Sequence, residues 1–117
     1  TDEFDGNTLD ESKWYPYNPG WDGRQPGLFV PENVHCCQPE GNELHMWAYG
    51  NVTLNSSMQA KGYNGYTTSA VKSKARLLYG YSEVRAKVGT SKISSAFWFN
   101  YNDGNTWTEI DIFEAFG

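Results

Sequence analysis

Two extended runs joined by an Asp-Gly turn constrain this chain more than any other feature. Residues 94–101 (SSAFWFNY) and 107–116 (WTEIDIFEAF) flank Asn102-Asp103-Gly104-Asn105. Asp-Gly suits the positive φ angles of a tight hairpin turn, so the spacing predicts two antiparallel strands. Residues 66–74 and 79–88 read as further strands. In the latter, Tyr81, Glu83, Arg85 and Lys87 share one face, opposite Ser82, Val84, Ala86 and Val88. Residues 42–49 also alternate, with Leu44, Met46 and Ala48 opposite Glu43, His45 and Trp47, before a turn at Gly50-Asn51. Leu28-Phe29-Val30 is a shorter extended run. Turn signals at 5–7, 18–20, 22–23 and 25–27 leave little room for helices, and no segment has a helical apolar period of useful length. The pattern predicts an all-β chain, a sandwich or jelly roll.

With 117 residues, the chain falls within the size of one small domain. Its last extended run is followed at once by Gly117, whereas so aromatic a strand belongs inside a sheet. Residues 1–117 are therefore expected to be one incomplete domain, an N-terminal portion whose missing C-terminal strands are its partner. The formal net charge of −5 and the lack of a Lys/Arg cluster argue against nucleic acid. Lys72, Lys74 and Arg76 alternate as a solvated face would. No run approaches the roughly 18–20 apolar residues of a membrane-spanning helix, so no membrane partner is expected. Thr1-Asp2-Glu3 opens onto a polar turn, as a trimmed mature form would, and a secreted, extracellular location is expected. Cys36 and Cys37 are adjacent. On a strand they would point to opposite faces, which leaves them as small buried residues or as partners for cysteines elsewhere. Neither they nor His35 and His45 stand at zinc-ligand spacing, and no metal ligands are assigned.

The chemistry shows in Glu109-Ile110-Asp111-Ile112-Phe113-Glu114. Alternation along a strand sends Glu109 and Asp111 one way and Ile110 and Ile112 into the core. Regular alternation would put Glu114 on the wrong face, and one bulged residue at Ile112 or Phe113 restores the phase. Three crowded carboxylates repel one another, which a structure built only for stability avoids. Retaining glycoside hydrolysis needs such a group: one carboxylate attacks the anomeric carbon, and another about 5–5.5 Å away protonates the leaving oxygen and later activates water. An acidic edge strand and an oxygen-lined calcium site are the bland alternatives.

Five tryptophans, Trp14, Trp21, Trp47, Trp98 and Trp107, supply flat faces on which sugar C–H patches stack. Trp98 alternates with Phe97 and Phe99 and is open to either a core or a cleft reading. Trp21 lies among Gly and Pro with Arg24, where a large apolar side chain is hard to bury. Trp98, Trp21, Arg24 and Trp107 are the candidate substrate contacts.

Taken together these residues resemble glycoside hydrolase family 16. EIDIFE (109–114) is similar to the family's bulged ExDxxE signature. FDGNTLDESKW (4–14), GNELHMWA (41–48), the stretch 66–88 and SSAFWFN (94–100) resemble further family segments in the same order. The resemblance implies a β-jelly-roll sandwich of the concanavalin type with an open cleft, and endo-acting, retaining hydrolysis. It implies Glu109 as nucleophile, Asp111 as its assistant, Glu114 as acid/base and Trp98 as the cleft tryptophan. No cofactor is required, although a structural calcium ion is common in the family. WDGRQPGLFVPENV (21–34) looks most like the agarase and porphyranase branch, in which a Trp and an Arg of this loop help form the negative subsites.

The first expectation is thus a β-agarase-like endo-β-galactanase that cleaves β-1,4 linkages of agarose, an agar-type galactan. Porphyranase-, carrageenase- and laminarinase-type activities are alternatives. A carbohydrate-binding jelly roll without catalysis is another, but it has no reason to keep three crowded acids.

Overall fold

A computed structural model of the chain describes residues 1–38 and 41–116. Gly117, where the last run was expected to be cut short, lies outside them. The chain separates into two compact units, Thr1–Leu77 and Leu78–Gly117. In chain order the first unit carries β1 (Trp14–Tyr15), β2 (Gly27–Phe29), β3 (Val34–His35), β4 (His45–Met46), β5 (Tyr49–Val52), the helix α1 (Ser56–Ala60), β6 (Gly65–Thr68) and β7 (Lys72–Ser73). The second carries β8 (Ser95–Asn102) and β9 (Trp107–Ala115). The expected all-β class holds, with one short α-helix and a 3-10 turn at Pro31–Asn33 added among the described residues.

In the first unit β6 lies between β2, which is parallel to it, and β5, which is antiparallel. β1 pairs antiparallel with β7, and β3 with β4. The predicted strand at 66–74 is therefore two strands with different partners. Between them the Ser69 hydroxyl donates to the Trp47 carbonyl at 3.0 Å. The turn expected at Gly50-Asn51 falls inside β5 instead. Asn51 has a φ of +59°, and the register slips between Gly50 and Val52. Asn tolerates this left-handed conformation, so the turn signal is used for a bulge. The interior is tied by polar groups. The buried Asn33 amide donates to the Thr67 hydroxyl at 3.1 Å and to the Thr68 carbonyl at 3.3 Å.

α1 was not predicted, because five residues are too few to show a period. Its ends explain it. The Asn55 side chain accepts from the Met58 amide at 3.0 Å as N-cap. At the other end Gly62 N–H donates to the Gln59 carbonyl at 2.9 Å and Tyr63 N–H to the Met58 carbonyl at 3.0 Å, a Schellman closure.

The adjacent cysteines also differ from expectation. Cys36 and Cys37 are disulfide-bonded to one another across a cis peptide, and Cys37 is 1% exposed. They follow β3 rather than lying on it, so strand alternation does not govern them. His35 stands directly opposite His45 in the β3–β4 ladder, despite their separation in sequence. Lys72 is half-buried and reaches Asn18 Oδ1 at 3.5 Å, so that row is not wholly solvated.

In the second unit, 79–88 forms no strand among the described residues, contrary to the sequence reading. A strand exists only through hydrogen bonds to a neighbour, and alternation supplies none. The alternation itself holds in part: Val84, Ala86 and Val88 line an apolar hollow of about 360 Å³ together with Phe113 and Ala115 of β9.

Candidate active site

The hairpin of β8 and β9 is fixed at its turn by Asp103. Its carboxylate accepts from the amides of Thr106 at 2.7 Å and Asn105 at 2.9 Å, and from the Tyr101 hydroxyl at 3.0 Å. These donors, the Thr106 amide foremost, hold the Asp103 carboxyl below its usual pKa. Gly104, with a φ of +87°, supplies the left-handed residue the turn requires.

From this turn the ladder pairs Asn102 with Trp107, Tyr101 with Thr108, Asn100 with Glu109, Phe99 with Ile110 and Trp98 with Asp111. The register then slips. Phe97 pairs with Phe113, and Ala96 with Glu114, so Ile112 is the residue left over. Residues directly opposite in an antiparallel pair project to the same face. Ala96, Trp98, Asn100 and Asn102 are alternate residues of one regular strand and so share a face. Glu114, Asp111, Glu109 and Trp107 are therefore on that face too. The bulge expected at Ile112 or Phe113 falls at Ile112, and it restores Glu114 to the side of its companions.

The opposite face is apolar. Phe97 packs on Phe99 with ring centroids 5.5 Å apart and on Phe113 at 6.4 Å. Ile110 is on this side, as expected, but is 57% exposed, and the bulged Ile112 is 50% exposed. The core position expected for both is therefore not seen among the described residues. Glu109, Asp111 and Glu114 are all exposed, and Trp98 is half-buried. Trp107 is 62% exposed. The arrangement offers an accessible row of carboxylates flanked by two indoles, able to give and take protons and to stack on a sugar ring.

Trp21 and Arg24 belong to the first unit. Trp21 stands edge-on to Phe29 with centroids 5.1 Å apart, and Arg24 is exposed. Asn100, opposite Glu109, shares this face but was not singled out as a candidate. The signal was present, since it lies two residues from Trp98. Among the described residues no three His, Cys, Asp or Glu side chains gather as metal ligands.

Comparison with known proteins places the chain in a family. The whole chain, residues 1–117, matches the family described as "Beta-porphyranase A-D, GH16 domain". It is 35% identical to β-porphyranase D of Zobellia galactanivorans, over 86% of this chain and 23% of that protein. β-Porphyranase B of the same organism is 33% identical over 100% of this chain and 40% of its own length. β-Agarase A, again from Zobellia galactanivorans, is 32% identical over 91% of this chain and 17% of its own. The chain thus spans less than half the length of these curated relatives. Its strands are those of a β-jelly-roll domain, and the chain belongs to glycoside hydrolase family 16, in the branch that holds the porphyranases and agarases.

Proposed function

We propose that this chain contributes the catalytic acids of a secreted, endo-acting, retaining hydrolase that cleaves β-1,4 linkages in a red-algal galactan, with porphyran as the favoured substrate. The observation that carries this reading is the ladder register, in which Glu109, Asp111 and Glu114 stand on one face with Trp98. Glu109 attacks the anomeric carbon while Glu114 gives its proton to the departing glycosidic oxygen. The C–O bond breaks as a glycosyl ester to Glu109 forms. Glu114, now ionised, takes a proton from water, whose oxygen displaces Glu109 and restores the β configuration. Asp111, between the two glutamates, assists the nucleophile. Trp98 and Trp107 stack on the sugar, and Trp21 and Arg24 are further substrate contacts.

Porphyran is favoured over agarose because the matching family is one of porphyranases. The 21–34 loop resembles agarases and porphyranases alike and does not choose between the two substrates. Agarose is the second reading, supported by the likeness to β-agarase A. The test is to incubate the full-length enzyme with porphyran, agarose and laminarin, following reducing ends and, by NMR, the anomer released. β-Anomer appearing first from porphyran is expected. Turnover of laminarin alone, or release of the α-anomer, would sink the proposal.

A further inference from the structure

The loop that carries Trp21 and Arg24 is closed on itself and braced from behind. Its ends are joined by the Phe29 amide, which donates to the Asp22 carbonyl at 2.8 Å, and the Gly27 amide donates to the Arg24 carbonyl at 2.9 Å. Gly23 at its base is buried with a φ of +129°, and a Cβ there would strike the Gly27 carbonyl. The brace comes from the C-terminal end of α1. The Schellman closure turns the chain at Gly62 so that Tyr63, 7% exposed, runs under the loop, and its hydroxyl donates to the Gly23 carbonyl at 3.1 Å. The Asn64 amide donates to the Pro26 carbonyl at 3.0 Å. The Gln25 side-chain amide donates to the Lys61 carbonyl, and Lys61 Nζ lies 3.5 Å from the Asp22 carboxylate.

This construction occupies the inner groups of the loop and leaves one charged group over. Among the described residues no ion pair or hydrogen bond engages the Arg24 side chain, which is exposed. Guanidinium presents donors in a planar fork suited to anionic oxygens, and its value depends on being held in one orientation.

We propose that Tyr63 is a positioning residue, holding the Gly23 carbonyl so that Arg24 is presented to an anionic ester group on the galactan. The inference rests on the functional reading above and adds to it the residue that fixes this loop. Tyr63 touches no substrate and acts only through Gly23. Its hydroxyl is therefore expected to matter more for an anionic galactan than for a neutral one.

The test compares full-length wild type, Tyr63→Phe, Arg24→Ala and the double variant on porphyran and on agarose, with thermal unfolding recorded for each. Tyr63→Phe keeps the ring and removes only the hydroxyl. It is expected to raise KM for porphyran by about five- to tenfold and to leave kcat within about twofold. KM for agarose should move less, and the Tyr63→Phe effect should vanish in the Arg24→Ala background. If Tyr63→Phe does not fold, Gln25→Ala removes an exposed brace of the same loop and is expected to raise the same KM. An active wild type whose KM is unchanged by these substitutions would overturn the inference, as would effects that simply add. A wild type inactive on both polysaccharides would instead overturn the functional reading beneath it.

Discussion

Trp98 stands directly opposite Asp111, at the last rung of the β8–β9 ladder before the register slips. The middle acid is thereby tied to the aromatic face, and the slip immediately beyond it brings Glu114 to the same side.

Replacing Glu109 by Gln removes the attacking oxygen charge while keeping size and shape. Hydrolysis by the full-length enzyme is expected to fall by about three orders of magnitude or more, with polysaccharide binding retained. Reducing-end assays and affinity electrophoresis read the two separately. Unchanged turnover would exclude Glu109 as the nucleophile, and a purely binding protein would show no turnover to lose.

Trp98→Ala deletes a stacking surface beside Asp111 without touching a carboxylate. KM is expected to rise roughly tenfold, in line with the loss of one aromatic contact. Trp98→Phe should recover part of that loss. A variant with ordinary KM would return Trp98 to a packing role.

Asp103 gives the hairpin a pH dependence of known sign. The Thr106 and Asn105 amides and the Tyr101 hydroxyl lower its folded pKa. Its stabilisation is therefore fully present above the unfolded value of about 3.9 and is lost as pH falls through the lower folded value. The difference in Tm between wild type and Asp103→Ala should be largest near neutrality and shrink below about pH 4. A gap that widened on acidification would contradict the assignment.

Gly23→Ala is expected to destabilise the first unit by roughly 1–3 kcal/mol, because the new methyl meets the Gly27 carbonyl and the backbone angle disfavours any side chain. Thermal unfolding would register the loss.

Much of the site was legible because its logic is parity. Glu109, Asp111 and Glu114 cannot share a face on a regular strand, so the sequence demanded a bulge at Ile112 or Phe113, and Ile112 supplies it. The Asn102–Asn105 turn was equally legible, since Asp-Gly carries its conformation locally. Pairing partners were not legible. Residues 79–88 alternate like a strand yet have none among the described residues. Nor did the apparent run at 66–74 disclose that its two halves belong to different sheets. Gly50-Asn51 illustrates a third limit, because the same left-handed residue serves a turn or a bulge. The hold of Tyr63 on Gly23 spans 40 residues, and nothing in either local sequence announces it.

The residue left over at Ile112 has a consequence for how the two glutamates are spaced. Glu109 and Glu114 are five residues apart in their own strand, but their partners, Asn100 and Ala96, are four apart in the other. The regular strand, not the acidic one, is therefore the ruler for the gap between the two glutamates. A chain lacking Ile112 could keep both glutamates opposite those same partners, so length variation at this point can be neutral to the reach of the acids.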